Sequence, residues 1–91
     1  MNRTNLSLND LVVDIPDYIK NETDLEFGVS DRLANFMEEK GITKVALAKA
    51  LGKSPSEVTK WLSGQHNFTL RTIAMLSSYF KKPLITISTK P

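Results

Sequence analysis

The stretch "LAKALGKSPSEVTKWLSG", Leu47 to Gly64, decides how the chain is read. It has the pattern of two short helices joined at Gly52. Ser54, Pro55 and Glu57 together mark the start of the second helix. Ser54 supplies a cap oxygen, and Glu57, three residues on, completes a capping box. Pro55 falls at the first helical position, where its missing N–H is no loss and its fixed φ suits the helix. The connection Gly52-Lys53-Ser54 is tight, and a glycine there permits a left-handed turn. Ala48 is small where the two helices must approach closely, and Val58 and Trp61, three apart, share the buried face of the second helix. Ser56, Thr59, Lys60 and Ser63 lie opposite them. Two helices joined in this way, the second displaying small polar and basic side chains near its N-terminus, form a helix-turn-helix.

The flanking sequence extends this into an all-α bundle of four to five helices. Thr43 is placed to cap "KVALAKAL", and Thr69 to cap "LRTIAMLSSYF", where Leu70, Ile73, Leu76 and Phe80 share a face. Pro83 forbids continuation of that last helix. "TDLEFGVSDRLANFMEEKG" predicts a helix opened by a capping box at Thr23 and Glu26 and stopped at Gly41. Leu25, Val29, Leu33, Phe36 and Met37 line it at helical spacing, and Gly28 marks a kink or break. "LVVDIPDYIK" (11–20) fits either a strand or a helix entered at Pro16. "LITIST" (84–89) alternates and is β-branched, which predicts a short C-terminal strand. The expected division is an acidic segment over 1–22, the helical domain over 23–82, and a strand or tail over 83–91.

Charge separates along the chain. Met1 to Glu39 holds three basic and nine acidic residues, a net of −6, whereas Lys40 to Pro91 holds nine basic residues and one acid, Glu57, a net of +8. Such asymmetry points one half of the chain at a polyanion. With 91 residues and no cysteine, the expectation is one domain without disulfides or Cys-ligated zinc. The N-terminus has no apolar signal-peptide core and no run is long enough to span a membrane, so a cytoplasmic location is expected. No nucleophile–base pair, metal cluster or phosphate-cradling glycine loop is present in the pattern, so neither an enzyme nor a cofactor or metal is expected.

From about Val29 to Phe80 the chain resembles the DNA-binding domains of the lambda-repressor-like, Cro-type (XRE) regulators. "DRLANFMEEKGITKVALAKALGKSPSEVTKWLSGQHNFTLRTIAML" is similar to helices one to four of that family. "EVTKWLSGQHNFTLRTIA" is also similar to HigA-type antitoxins. The resemblance implies a sequence-specific regulator of double-stranded operator DNA, a repressor working as a homodimer. Two roles stay open: the antitoxin of a toxin–antitoxin pair, with a cognate toxin as partner, or a solitary regulator. A protein-interaction module that keeps the fold without DNA binding is the alternative. The resemblance places Pro55, Ser56, Thr59 and Lys60 at base edges in the major groove. Lys44, Lys53, Ser54, Gln65, His66 and Asn67 are then candidates for phosphate contacts, which position a domain without reading sequence. Three departures stand out. Lys44 and Leu62 replace the Gln and Glu common in the family, and "KKPLITIST" stands in place of a fifth helix, which leaves an edge strand as the expected dimer contact.

Overall fold

The computed structural model describes residues 15–87. Four helices follow in order: α1 (Asp17–Lys40), α2 (Lys44–Leu51), α3 (Pro55–Trp61) and α4 (Leu70–Phe80). No strand occurs among the described residues, so the architecture is an all-α bundle.

Three of the four helix starts follow from local chemistry. Thr43 Oγ1 accepts from Ala46 N–H at 3.1 Å, Ser54 Oγ from Glu57 N–H at 3.2 Å, and Thr69 Oγ1 from Thr72 N–H at 3.1 Å. Each satisfies a backbone donor that has no partner within its helix. Gly52 closes α2 at φ +69°, in the left-handed region where a side chain is costly, and the chain turns there into α3. Leu47 and Ala48 of α2 and Val58 and Trp61 of α3 join Val29, Leu33 and Met37 of α1, Leu76 of α4 and Leu84 in one core. Phe36 and Phe80 pack beside it with ring centroids 5.5 Å apart.

The start of α1 differs from the sequence expectation. The helix begins after Pro16, whose carbonyl accepts from Ile19 N–H at 3.1 Å, and runs unbroken through residues 22 and 23. Thr23 is therefore no cap. Its hydroxyl lies inside the helix and donates to the carbonyl of Ile19 at 3.0 Å, the back-bonding available to any mid-helical threonine. The stop that matters is Pro16, which disfavours helical backbone in the residue before it. Of the two alternatives for 11–20, the helix entered at Pro16 is the one found over residues 17–20, while residues 11–14 lie outside the described residues. Gly28 does not break α1, which continues to Lys40.

No side chain of α1 before Val29 is buried, and Leu25, expected on the core face, is exposed. Leu70, expected on the core face of α4, is 76% exposed at the first helical position, whereas Leu76 is fully buried and Ile73 and Phe80 are half-buried.

The expected strand over 84–89 is absent from residues 84–87, and residues 88 and 89 lie outside the described residues. The reason is visible in the hydrogen bonds. Leu84 N–H donates to Ser77 Oγ at 2.9 Å, and the Arg32 guanidinium donates to the carbonyls of Pro83 and Leu84, each at 3.4 Å. Side chains of α4 and α1 take the backbone groups that a ladder would need, and Leu84 fills the core instead.

One buried polar residue links the first and third helices. Ser30 Oγ donates to the Trp61 carbonyl at 2.5 Å and accepts from Gly64 N–H at 3.1 Å. Gly64 turns at φ +83°, and a Cβ there would come within 2.7 Å of the Phe27 ring. Ser30→Ala should lower stability by about 1–3 kcal/mol, because two buried backbone groups lose their partner. Gly28→Ala should raise it by about 0.5–1 kcal/mol, since a Cβ at Gly28 meets nothing within 4 Å. Thermal unfolding of both variants checks these opposite signs.

Candidate nucleic-acid interface

The face of α3 turned away from the core carries the groups singled out by sequence. Pro55, Ser56, Thr59 and Lys60 are all exposed, while Val58 and Trp61 of the same helix are buried. The capping box is complete in both directions: Glu57 Oε1 accepts from Ser54 N–H at 3.2 Å as Ser54 Oγ accepts from Glu57 N–H. Pro55 occupies the first helical position. This short helix therefore has its start fixed by three neighbouring residues and its inner face fixed by the core.

The hydroxyls on this face already have local partners, which limits what they can offer a ligand. Thr59 Oγ1 donates to the Pro55 carbonyl at 3.2 Å, so the hydroxyl keeps acceptor capacity and the methyl group is left for apolar contact. Ser56 Oγ lies 3.1 Å from Ser54 Oγ, and either can be the donor. Lys60 has no carboxylate within ion-pair distance among the described residues, and neither do Lys44 and Lys53. The ion pair found there joins Lys82 to Glu39 at 2.5 Å, on the surface. Glu57, the lone acid of the basic half, is engaged in the cap.

The remaining phosphate candidates divide. Ser54 is exposed but spends its oxygen on the cap. Gln65 and Asn67 are exposed, with the Gln65 N–H donating to Ser63 Oγ at 3.1 Å. His66 is half-buried and edge-on to Phe68, with ring centroids 4.8 Å apart. It also lies close enough to α1 to act on Glu26. That carboxyl is held above its ordinary range by desolvation and by Glu22 one turn earlier, and His66 works in the opposite direction.

Two residues of this region were passed over in the sequence. Arg71, in the first turn of α4, is exposed and has no carboxylate partner among the described residues; an arginine just inside a capped helix start was the available signal. Ser30 fixes the end of α3 from α1. A lone serine on the stripe with Leu33 and Met37, spaced by three and four, was the trace it left.

A family model described as "Helix-turn-helix" matches residues 33–87, more than half of the chain. The chain belongs to the XRE-type helix-turn-helix family. Its α2 and α3, joined at Gly52, are the two helices of the motif, and DNA binding is the family's activity. The match begins at Leu33, so α1 up to Arg32 lies outside it. No curated protein and no solved structure matches the chain. No helix among the described residues is long and apolar enough to cross a membrane.

The cap is testable apart from any ligand. Ser54→Ala should lower stability by about 1 kcal/mol, a fall of roughly 4–8 °C in Tm for a domain of this size. An unchanged midpoint would show that the start of α3 is held by the core alone.

Proposed function

We propose that this helix-turn-helix protein is a sequence-specific transcriptional repressor that lays α3 in the major groove of its operator. The observation that carries the reading is the exposed, acid-free face of Pro55, Ser56, Thr59 and Lys60 on a helix whose start is fixed by a complete capping box. In this reading Lys60 donates to guanine O6 and N7. Thr59, its proton committed to the Pro55 carbonyl, accepts from adenine N6 or cytosine N4, or sets its methyl against that of thymine. Pro55 makes apolar contact only. Lys44, Lys53, Ser54, Gln65, His66 and Asn67 meet phosphates, which set register without reading bases.

A seven-residue helix spans only a few base pairs, so the protein acts as a homodimer on two half-sites about one helical turn apart. Within this reading we favour the antitoxin role, in which the repressor also binds a toxin. Its support is the acidic half of α1, which would be repelled by DNA and is free to meet a basic protein.

A preferred duplex selected from random sequence provides the assay. Lys60→Ala should cost about 1–3 kcal/mol on that duplex and relax its preference at one base pair. Lys44→Ala should weaken selected and random duplexes alike and reduce the salt slope by about 0.9. Equal losses for both variants on both duplexes would mean that Lys60 reads no base. Failure of the wild-type chain to bind any duplex would leave the protein-interaction module as the better reading. Sedimentation at high concentration, with and without the selected duplex, should show the dimer.

A further inference from the structure

The first half of α1 is unusual for a helix in water. Residues 17–28 form three turns without one buried side chain, as an extension of the helix whose second half packs in the core. Tyr18, Leu25 and Phe27 are 71%, 66% and 68% exposed. Leu25 and Phe27, two residues apart, point to opposite sides of the helix, and Phe27 is the one that lines the groove beside the end of α3. Five carboxylates (Asp17, Glu22, Asp24, Glu26, Asp31) stand against one lysine, Lys20, over residues 17–31. None of the five has a cationic partner within ion-pair distance among the described residues.

A groove of about 520 Å³ runs between this part of α1 and the end of α3, lined by Asp24, Phe27, Gly28, Asp31 and Leu62 among others. Asp24 and Asp31 are seven residues apart, two turns along one face, or about 10 Å. Phe27 lies between them along the helix, and Leu62, at the end of α3, also lines the groove. Gly28 contributes no side chain. A glycine in a helix interior costs stability, and nothing within 4 Å of its missing Cβ explains that cost by packing within the chain. Close approach of another backbone is the remaining use for a glycine in such a place.

We propose that this groove is the docking site of a basic protein, which lays a helix across Gly28, pairs two Lys or Arg side chains two turns apart with Asp24 and Asp31, and sets an apolar side chain against Phe27 and Leu62. The occupant is cationic because the groove's carboxylates have no ion-pair partner among the described residues. DNA is excluded by the same charge. A second copy of this chain is disfavoured because a two-fold contact through this face would set acid against acid. The proposal deepens the antitoxin reading by naming the surface that meets the partner, and it does not depend on α3 reading bases.

Two synthetic amphipathic helical peptides of identical composition serve as probes. One carries lysines seven residues apart around a central leucine; the other carries them five apart, on different faces. Each is titrated into the isotopically labelled full chain and followed by amide chemical shifts. The first peptide should bind saturably, with shifts confined to residues 17–31 and 62–64, and about tenfold more tightly than the second. Added salt should weaken it. Asp24→Lys with Asp31→Lys should abolish binding. Gly28→Leu should do so while keeping or raising Tm, because leucine is the better helix former and its Cβ meets open space. Lys60→Ala should bind peptide as the wild type does. Duplex binding, measured separately on each variant, keeps the DNA reading distinct: Gly28→Leu should bind DNA normally. Equal affinity for the two peptides, shifts centred elsewhere, or undiminished binding by Gly28→Leu would overturn the proposal. So would self-association of the free chain through residues 17–31, which would make a second copy the occupant.

Discussion

Ser30 is the one buried polar side chain among the described residues, and the placing of α3 depends on its hydroxyl. Its proton goes to the Trp61 carbonyl at the end of α3, and its lone pair takes the Gly64 N–H as the chain turns away. The Trp61 carbonyl is one that the end of α3 leaves without an internal partner, and the Gly64 N–H belongs to the turn that follows. A hydrophobic residue at position 30 would fill the space, yet it would leave a buried donor and acceptor unsatisfied, and the loss falls where α3 meets α1. Apolar packing of Val58 and Trp61 attracts α3 to the core without direction. The serine adds the direction, because hydrogen bonds weaken steeply off their preferred angle.

Around that clamp the bundle uses the chain sparingly. Leu84, past the end of α4, is drawn into the core, and its backbone is held by Ser77 and Arg32. The C-terminal segment thereby closes the gap between α1 and α4. Lys81, the cap of α4, adopts φ +58° without being glycine. That strained position turns the chain so that Lys82 meets Glu39 and lies 5.2 Å from the Phe36 ring. Exposed ion pairs contribute little, so the reward for this turn is the burial of Leu84.

What was legible in the sequence was local. Caps at Thr43, Ser54 and Thr69, the proline at the first position of α3 and the turn at Gly52 are each written within four residues, and each has one physical solution. The outward face of α3 followed from those caps and from the spacing of Val58 and Trp61. What escaped was decided by distant partners. Thr23 and Glu26 match a capping box, and Pro16 offers an earlier helix entry; nothing local decides between the two starts. "LITIST" has the composition of a strand, but a strand requires a second strand, and its backbone is taken by Ser77, seven residues earlier, and by Arg32, more than fifty residues earlier. Ser30 shows only as one polar residue on an apolar stripe, and the identity of its partners, more than thirty residues later, is not written beside it.

The segregation of charge has a kinetic consequence. The matched domain carries seven of the nine lysines, while residues 17–31 carry five of the ten carboxylates against one lysine, so the charges are separated into a dipole. In the field of a polyanion such a dipole experiences a torque well before contact, at separations comparable to the Debye length of about 8–10 Å. The basic side is turned inward and the acidic half of α1 outward during the approach itself. Fewer encounters are then wasted on the wrong orientation, and the association rate rises by more than net charge alone would give. A net charge of only +2 would suggest weak attraction to a nucleic acid; the arrangement of those charges, rather than their sum, governs how fast and in which pose the protein arrives.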